Sequence, residues 1–193
     1  MGIAYGQKPK LIDRFDFFDN TKWNVHGSTF GTVNAEAGLL AITNDSGGST
    51  DYIGIHSIET FPVGTAITVG SRGVSGRHHS LIGFGASPFF PFPHAGTVPG
   101  VTWYSRADNL SSTISWRNET GTTGVYDSAT ENLTTFQIFR LVRVSSSSVE
   151  FYRNNVLEYT ATGLTLANNY SVYFANDGHT KPNTTSINWI SVA

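Results

Sequence analysis

The chain has 193 residues, 39% hydrophobic and 13% aromatic, enough to bury one sizeable core. Only 13% are charged, the net charge is -2 and no Lys/Arg cluster occurs, so nothing favours a nucleic-acid partner. The absence of cysteine excludes disulfides, thiolate-bound metals and thiol nucleophiles.

The opening "MGIAYGQKPK" does not read as a signal peptide, and no apolar run reaches the ~20 residues of a membrane-spanning helix. Residues 1–10 are expected to be a flexible lead to a single domain spanning 1–193. Helix periodicity is nearly absent. Short runs alternate apolar and polar residues between Gly, Asn, Asp and Pro, as strands do. Alternation predicts strands at 39–43, 51–59, 65–74, 78–85, 100–106, 112–118, 134–144, 148–153, 156–162, 169–176 and 186–192. The pair Asn154–Asn155 marks a tight hairpin turn. This spacing predicts an all-β fold: two antiparallel sheets packed as a jelly-roll sandwich.

Three segments then resemble a known group. "FDFFDNTKWNV" at 15–25, running into "GTVNAEAGLLAIT" at 31–43, looks like the opening of concanavalin A-like lectin/glucanase (LamG-like) domains. "FQIFRLVRVSSSSVEFYRNNVLEYTAT" is similar to their strand–turn–strand hairpin, and "INWISV" to their closing strand. The resemblance implies a concanavalin A-like sandwich with ligands on a concave sheet or its rim loops. Two departures matter. No Glu-x-Asp-x-x-Glu strand is present, and Asn188 stands where such domains often carry Asp. The first argues against glucanase chemistry, the second against a calcium site of the family type.

Strand alternation also sorts faces. Val101, Trp103, Ile114 and Trp116 fall on one apolar face, which burial should turn inward at ~1.5–3 kcal/mol per aromatic. Tyr104, Arg106 and Arg117 fall on the other. Parity in neighbouring strands adds Arg72, His79, Glu150, Tyr152 and Tyr173 to outward positions. These eight are the candidate ligand-binding residues: aromatic rings pack on pyranose C–H faces while Arg, His and Glu bond hydroxyls.

The stretch "SPFFPFPHAGTVPG" at 87–100 reads as a semi-rigid lid or rim loop, stiffened by proline. Asp13, Asp16 and Asp51, with backbone carbonyls, are the candidate ligands of a structural calcium, though no EF-hand spacing supports them. Glycosidase chemistry needs two facing carboxylates. Glu119, Asp127, Glu131 and Glu150 are available, but no spacing ties a pair. A polysaccharide lyase could draw on His79, Tyr104, Arg106 and Arg117. The sequence therefore leads to a non-catalytic glycan-binding or adhesion module, extracellular or on a cell or virion surface. Its partner would be an oligo- or polysaccharide, with self-association left open. A structural jelly-roll domain of an assembly is the second reading and a lyase the third.

Overall fold

The computed structural model describes residues 11–46, 48, 51–75, 79–86, 99–106, 111–128, 135–177 and 183–193; of residues 73–75, 79, 80, 105, 106, 111, 112, 128, 177 and 183 it describes the backbone alone. The expected lead at 1–10 and loop at 87–98 lie outside these residues, as does Glu131.

Two antiparallel sheets make up the described fold. The first has eight strands: β1 (Leu11–Asp13), β3 (Gly31–Glu36), β4 (Leu39–Asn44), β6 (Ala66–Ser75), β11 (Gln137–Ser145), β12 (Ser148–Arg153), β13 (Val156–Thr162) and β15 (Asn183–Val192). Its order is β13-β12-β11-β6-β15-β4-β3, with β1 also pairing β15. The second has seven: β2 (Trp23–His26), β5 (Tyr52–Pro62), β7 (His79–Gly85), β8 (Gly100–Arg106), β9 (Ser111–Arg117), β10 (Thr123–Ser128) and β14 (Asn169–Asp177). Its order is β10-β9-β8-β7-β14-β5-β2, so β7 is central. The all-β sandwich expected from alternation is the observed fold.

Local chemistry fixes the registers. Asn154 and Asn155 both take positive φ (49° and 67°), the conformation of a two-residue type I′ hairpin turn, and they join β12 to β13. Trp103 pairs with Ile114 and Val101 with Trp116, which puts all four on one face. That face is inward. Val101, Trp103 and Ile114 are core residues, and Trp103 meets Phe139 and Phe151 of the opposite sheet edge-on, at 5.0 and 6.0 Å between ring centroids. Trp116 is only partly buried. It stacks on Tyr159, which in turn stacks on Tyr126 at 4.1 Å. That aromatic column links the edge of one sheet to the edge of the other, because β10 and β13 are both outermost strands.

Candidate functional site

Cross-strand register defines the outer face of the seven-stranded sheet. One row runs Asn24, His56, Tyr173, Gly83, Thr102, Ser115, Val125. The next runs His26, Gly54, Ala175, Leu81, Tyr104, Thr113, Asp127. Most of the middle of this face is shut from solvent. Leu81, Tyr104, Tyr173 and Ala175 form a second buried cluster, with Tyr52 packed against it. Tyr173 lies across Gly83, where a Cβ would overlap its ring, and its hydroxyl reaches Thr102 Oγ1. Burial holds that phenol well above its ordinary pKa, so it stays protonated.

Both ends of the rows are more open. At one end Asn24 is exposed and its Nδ2 lies 3.3 Å from His56 Nε2. The His26 and His56 rings stack at 4.5 Å. Burial and then the nearby His26 push His56 down to about 4, and burial lowers His26 as well. Both imidazoles are therefore neutral at pH 7. At the other end Asp127 is exposed and accepts a 3.0 Å hydrogen bond from Thr113 Oγ1. Asp127 and His56 are five strand spacings apart, about 24 Å, so they do not act on one bond together.

The eight candidate residues do not meet on one face. Tyr104, Tyr173 and Arg117 belong to the seven-stranded sheet, as do the backbones of His79 and Arg106, which pair with each other. The side chains of His79 and Arg106 lie outside the described residues. Arg72 (β6), Glu150 and Tyr152 (β12) belong to the eight-stranded sheet, across the core. There Tyr152 donates to Glu150 Oε2 at 2.6 Å, and Arg72 lies over the Phe136 ring at 4.6 Å. Alternation separates inside from outside, but it does not say to which sheet a strand belongs. Nor does it show that an outer face is covered: Tyr104 and Tyr173 are outer-face residues yet buried.

His56, His26 and Asp127 are the residues that the sequence reading leaves unplaced. In "YIGIHS" the buried Ile53 and Ile55 set a parity that sends His56 outward, so that signal was present.

The candidate calcium ligands do not gather into one carboxylate cluster among the described residues. Asp13 is buried and spent on the Phe15 N–H (2.9 Å) and Trp23 Nε1–H (2.8 Å), with Lys22 at 3.7 Å. Asp51 lies beside Gly48, and its backbone carbonyl accepts from Asn44 Nδ2 at 2.7 Å. Among the described residues no group of three acidic or histidine side chains could hold a metal.

No family model and no curated protein matches this chain. Solved structures do match over nearly its whole length. A Bacillus licheniformis β-glucanase is 11% identical with a TM-score of 0.74, covering 97% of this chain and 99% of its own. A Bacteroides ovatus mixed-linkage-glucan enzyme of glycoside hydrolase family 16, complexed with an oligosaccharide product, is 11% identical with a TM-score of 0.70, covering 95% and 99%. The Crh5 transglycosylase is 14% identical with a TM-score of 0.69, covering 94% and 82%. At this identity the likeness is one of fold: a two-sheet antiparallel jelly-roll sandwich shared with family 16 enzymes, which does not single out a lectin or LamG domain. The expectation of a non-catalytic, lectin-like adhesion module is corrected here, as is the leaning against an enzyme. Glucanases, glycoside hydrolases and a transglycosylase are among the proteins with matching folds.

Proposed function

We propose that the chain acts on glycosidic bonds of an extracellular oligo- or polysaccharide laid across the outer face of the seven-stranded sheet. The observation that supports this most is the end-to-end match of both sheets to glycan-cleaving sandwiches. The composition of the face agrees with it. Asn24 and Asp127, exposed at its two ends, offer amide and carboxylate groups that can bond sugar hydroxyls, while the buried Tyr104–Tyr173 centre holds the sheet between them.

The catalytic groups differ from a central-strand carboxylate pair. β7, β8 and β9 contain no Asp or Glu. Asp127, on the edge strand β10, is a carboxylate of this face whose side chain is described, exposed and oriented by Thr113. It is the residue assigned to proton transfer or charge stabilisation at the glycosidic oxygen. Glu150, across the core, cannot pair with it.

The test is product analysis on the full chain with mixed-linkage glucan, laminarin, xyloglucan, alginate and pectin. Reducing-end release from at least one substrate is expected, reduced on the order of 10²-fold or more in Asp127→Asn. Saturated products identify hydrolysis, and ultraviolet-absorbing unsaturated ends identify elimination. A folded protein that leaves every glycan intact, or an Asp127→Asn variant as active as the parent, refutes the assignment.

A further inference from the structure

A separate cavity of about 580 Å³ opens on the eight-stranded sheet. It arises from topology. Along one edge of β15, β4 pairs residues 183–187 and β1 pairs residues 190–192, so Asn188 and Trp189 fall in the gap between the two partners. The register of β15 against β6 also shifts between Ile187 and Trp189. Gly70 of β6 lies beneath two of the lining side chains: a Cβ there would overlap Asn188 Oδ1 and lie 2.9 Å from Trp189 Nε1. The far wall comes from the chain after β1. Phe15 takes φ 54°, its N–H held by Asp13 Oδ1, and its ring is fully buried. That left-handed turn leaves Arg14 and Asp16 exposed on the cavity wall, next to Gly38 of the β3–β4 turn.

Three features say what fits. Trp189 is half-buried and lines the space, giving an indole surface for packing. Arg14 and Asp16 make no ion pair or side-chain hydrogen bond with any described residue, so both remain free for a ligand. Their charges cancel, and one carboxylate beside a guanidinium does not provide the six to eight oxygens that calcium takes. A volume of this size lies within the usual small-ligand range, roughly 300–1,000 Å³.

We infer that this cavity is a second carbohydrate site. A neutral sugar residue packs on Trp189, with its hydroxyls bonded by Arg14, Asp16 and Ser191. This rests on a glycan being the partner, but not on Asp127 or on turnover. The site lies across the core from the face proposed for bond cleavage, so it would hold a chain remote from the reacting bond.

The test follows the Trp189 indole N–H resonance of the full chain, assigned by its loss in Trp189→Phe. Cellohexaose, laminarihexaose and mannohexaose are titrated separately, and calcium chloride alone is the control. A shift with a hexasaccharide is expected, with Kd raised about fivefold or more in Arg14→Ala and Asp16→Asn. Both substitutions are at exposed positions, so loss of folding does not cloud the result. Asp127→Asn should leave this Kd unchanged. No shift with any of the sugars overturns the proposal, as does a shift with calcium only, or one that Arg14→Ala does not weaken. Turnover without a shift at Trp189 would retain the cleavage reading and remove this one. A shift without turnover would do the reverse.

Discussion

Gly83 and Gly70 each lie beneath an aromatic side chain, one on either outer face of the sandwich. A Cβ at Gly83 would overlap the Val101 carbonyl oxygen and lie 2.8 Å from Tyr173 Cζ. A Cβ at Gly70 would meet only side-chain atoms, Asn188 Oδ1 and Trp189 Nε1. On the seven-stranded sheet the ring is locked down, its hydroxyl spent on Thr102 and its surroundings buried. On the eight-stranded sheet the ring borders an open cavity. Similar residue types thus give a closed, rigid layer on one face and a pliable recess on the other. What decides between them is whether backbone or side chain sits over the glycine.

Substitution at the two glycines should separate the faces most clearly. Gly83→Ala must displace a backbone carbonyl in a central strand, and is expected to cost about 2–3 kcal/mol in urea unfolding. Gly70→Ala need only tilt two side chains, and should cost about 1 kcal/mol or less. It should nevertheless weaken the sugar-induced shift at Trp189, because the indole and amide that line the cavity must move. Equal destabilisation by the two would show that the contrast is wrong.

Tyr173→Phe comes next. Removing the phenol leaves Thr102 Oγ1 without that partner on a buried face, so a loss of about 1–2 kcal/mol is expected. Unchanged stability would mean that the hydroxyl pair is not part of what closes this layer.

Acid should act at the His26–His56 end of the same face. His56 is held down to about 4, against 6.5 for a free imidazole, so the unfolded chain binds more protons between those values. Stability supplied by the neutral ring is therefore present above pH 6.5 and lost as pH falls toward 4. The His26 shift has the same sign. Melting temperatures between pH 7 and pH 4.5 should fall less steeply in His56→Gln than in the parent, the difference isolating the imidazole from carboxylates that titrate nearby. Parallel curves would remove the imidazole from the acid response.

How far the sequence foretold this depends on what each residue's neighbours could reveal. Val101, Trp103 and Ile114 were legible as core because each sits in a strand whose apolar residues recur every second position. β10 was not: "TGVYDS" is an edge strand with one half-buried Tyr, so its alternation is faint and Asp127 had no assigned face. Alternation turns Arg72, Glu150 and Tyr152 outward as it does Tyr104, but local pattern carries no information on which sheet a strand enters. The Trp189 cavity was harder still. It exists because β15 changes partner in mid-strand, a property of three strands remote in sequence. In the sequence Asn188 stands out only as an amide where the resembling domains often carry Asp.

The smallest effect should be at Tyr152, on the eight-stranded sheet. Its hydroxyl donates to Glu150, a hydrogen bond that stabilises the protonated phenol and raises its pKa, and Arg140 lies over its ring at 5.5 Å. These contacts resemble the Tyr173–Thr102 pair in chemistry, but water can replace them on a half-exposed surface. Tyr152→Phe should therefore change stability by about 0.5 kcal/mol or less, against the larger loss in Tyr173→Phe. Burial, rather than the hydrogen bond itself, then sets the difference between the two tyrosines. A loss in Tyr152→Phe as large as that in Tyr173→Phe would contradict this, and would make the outer layer of the eight-stranded sheet as tightly built as its counterpart.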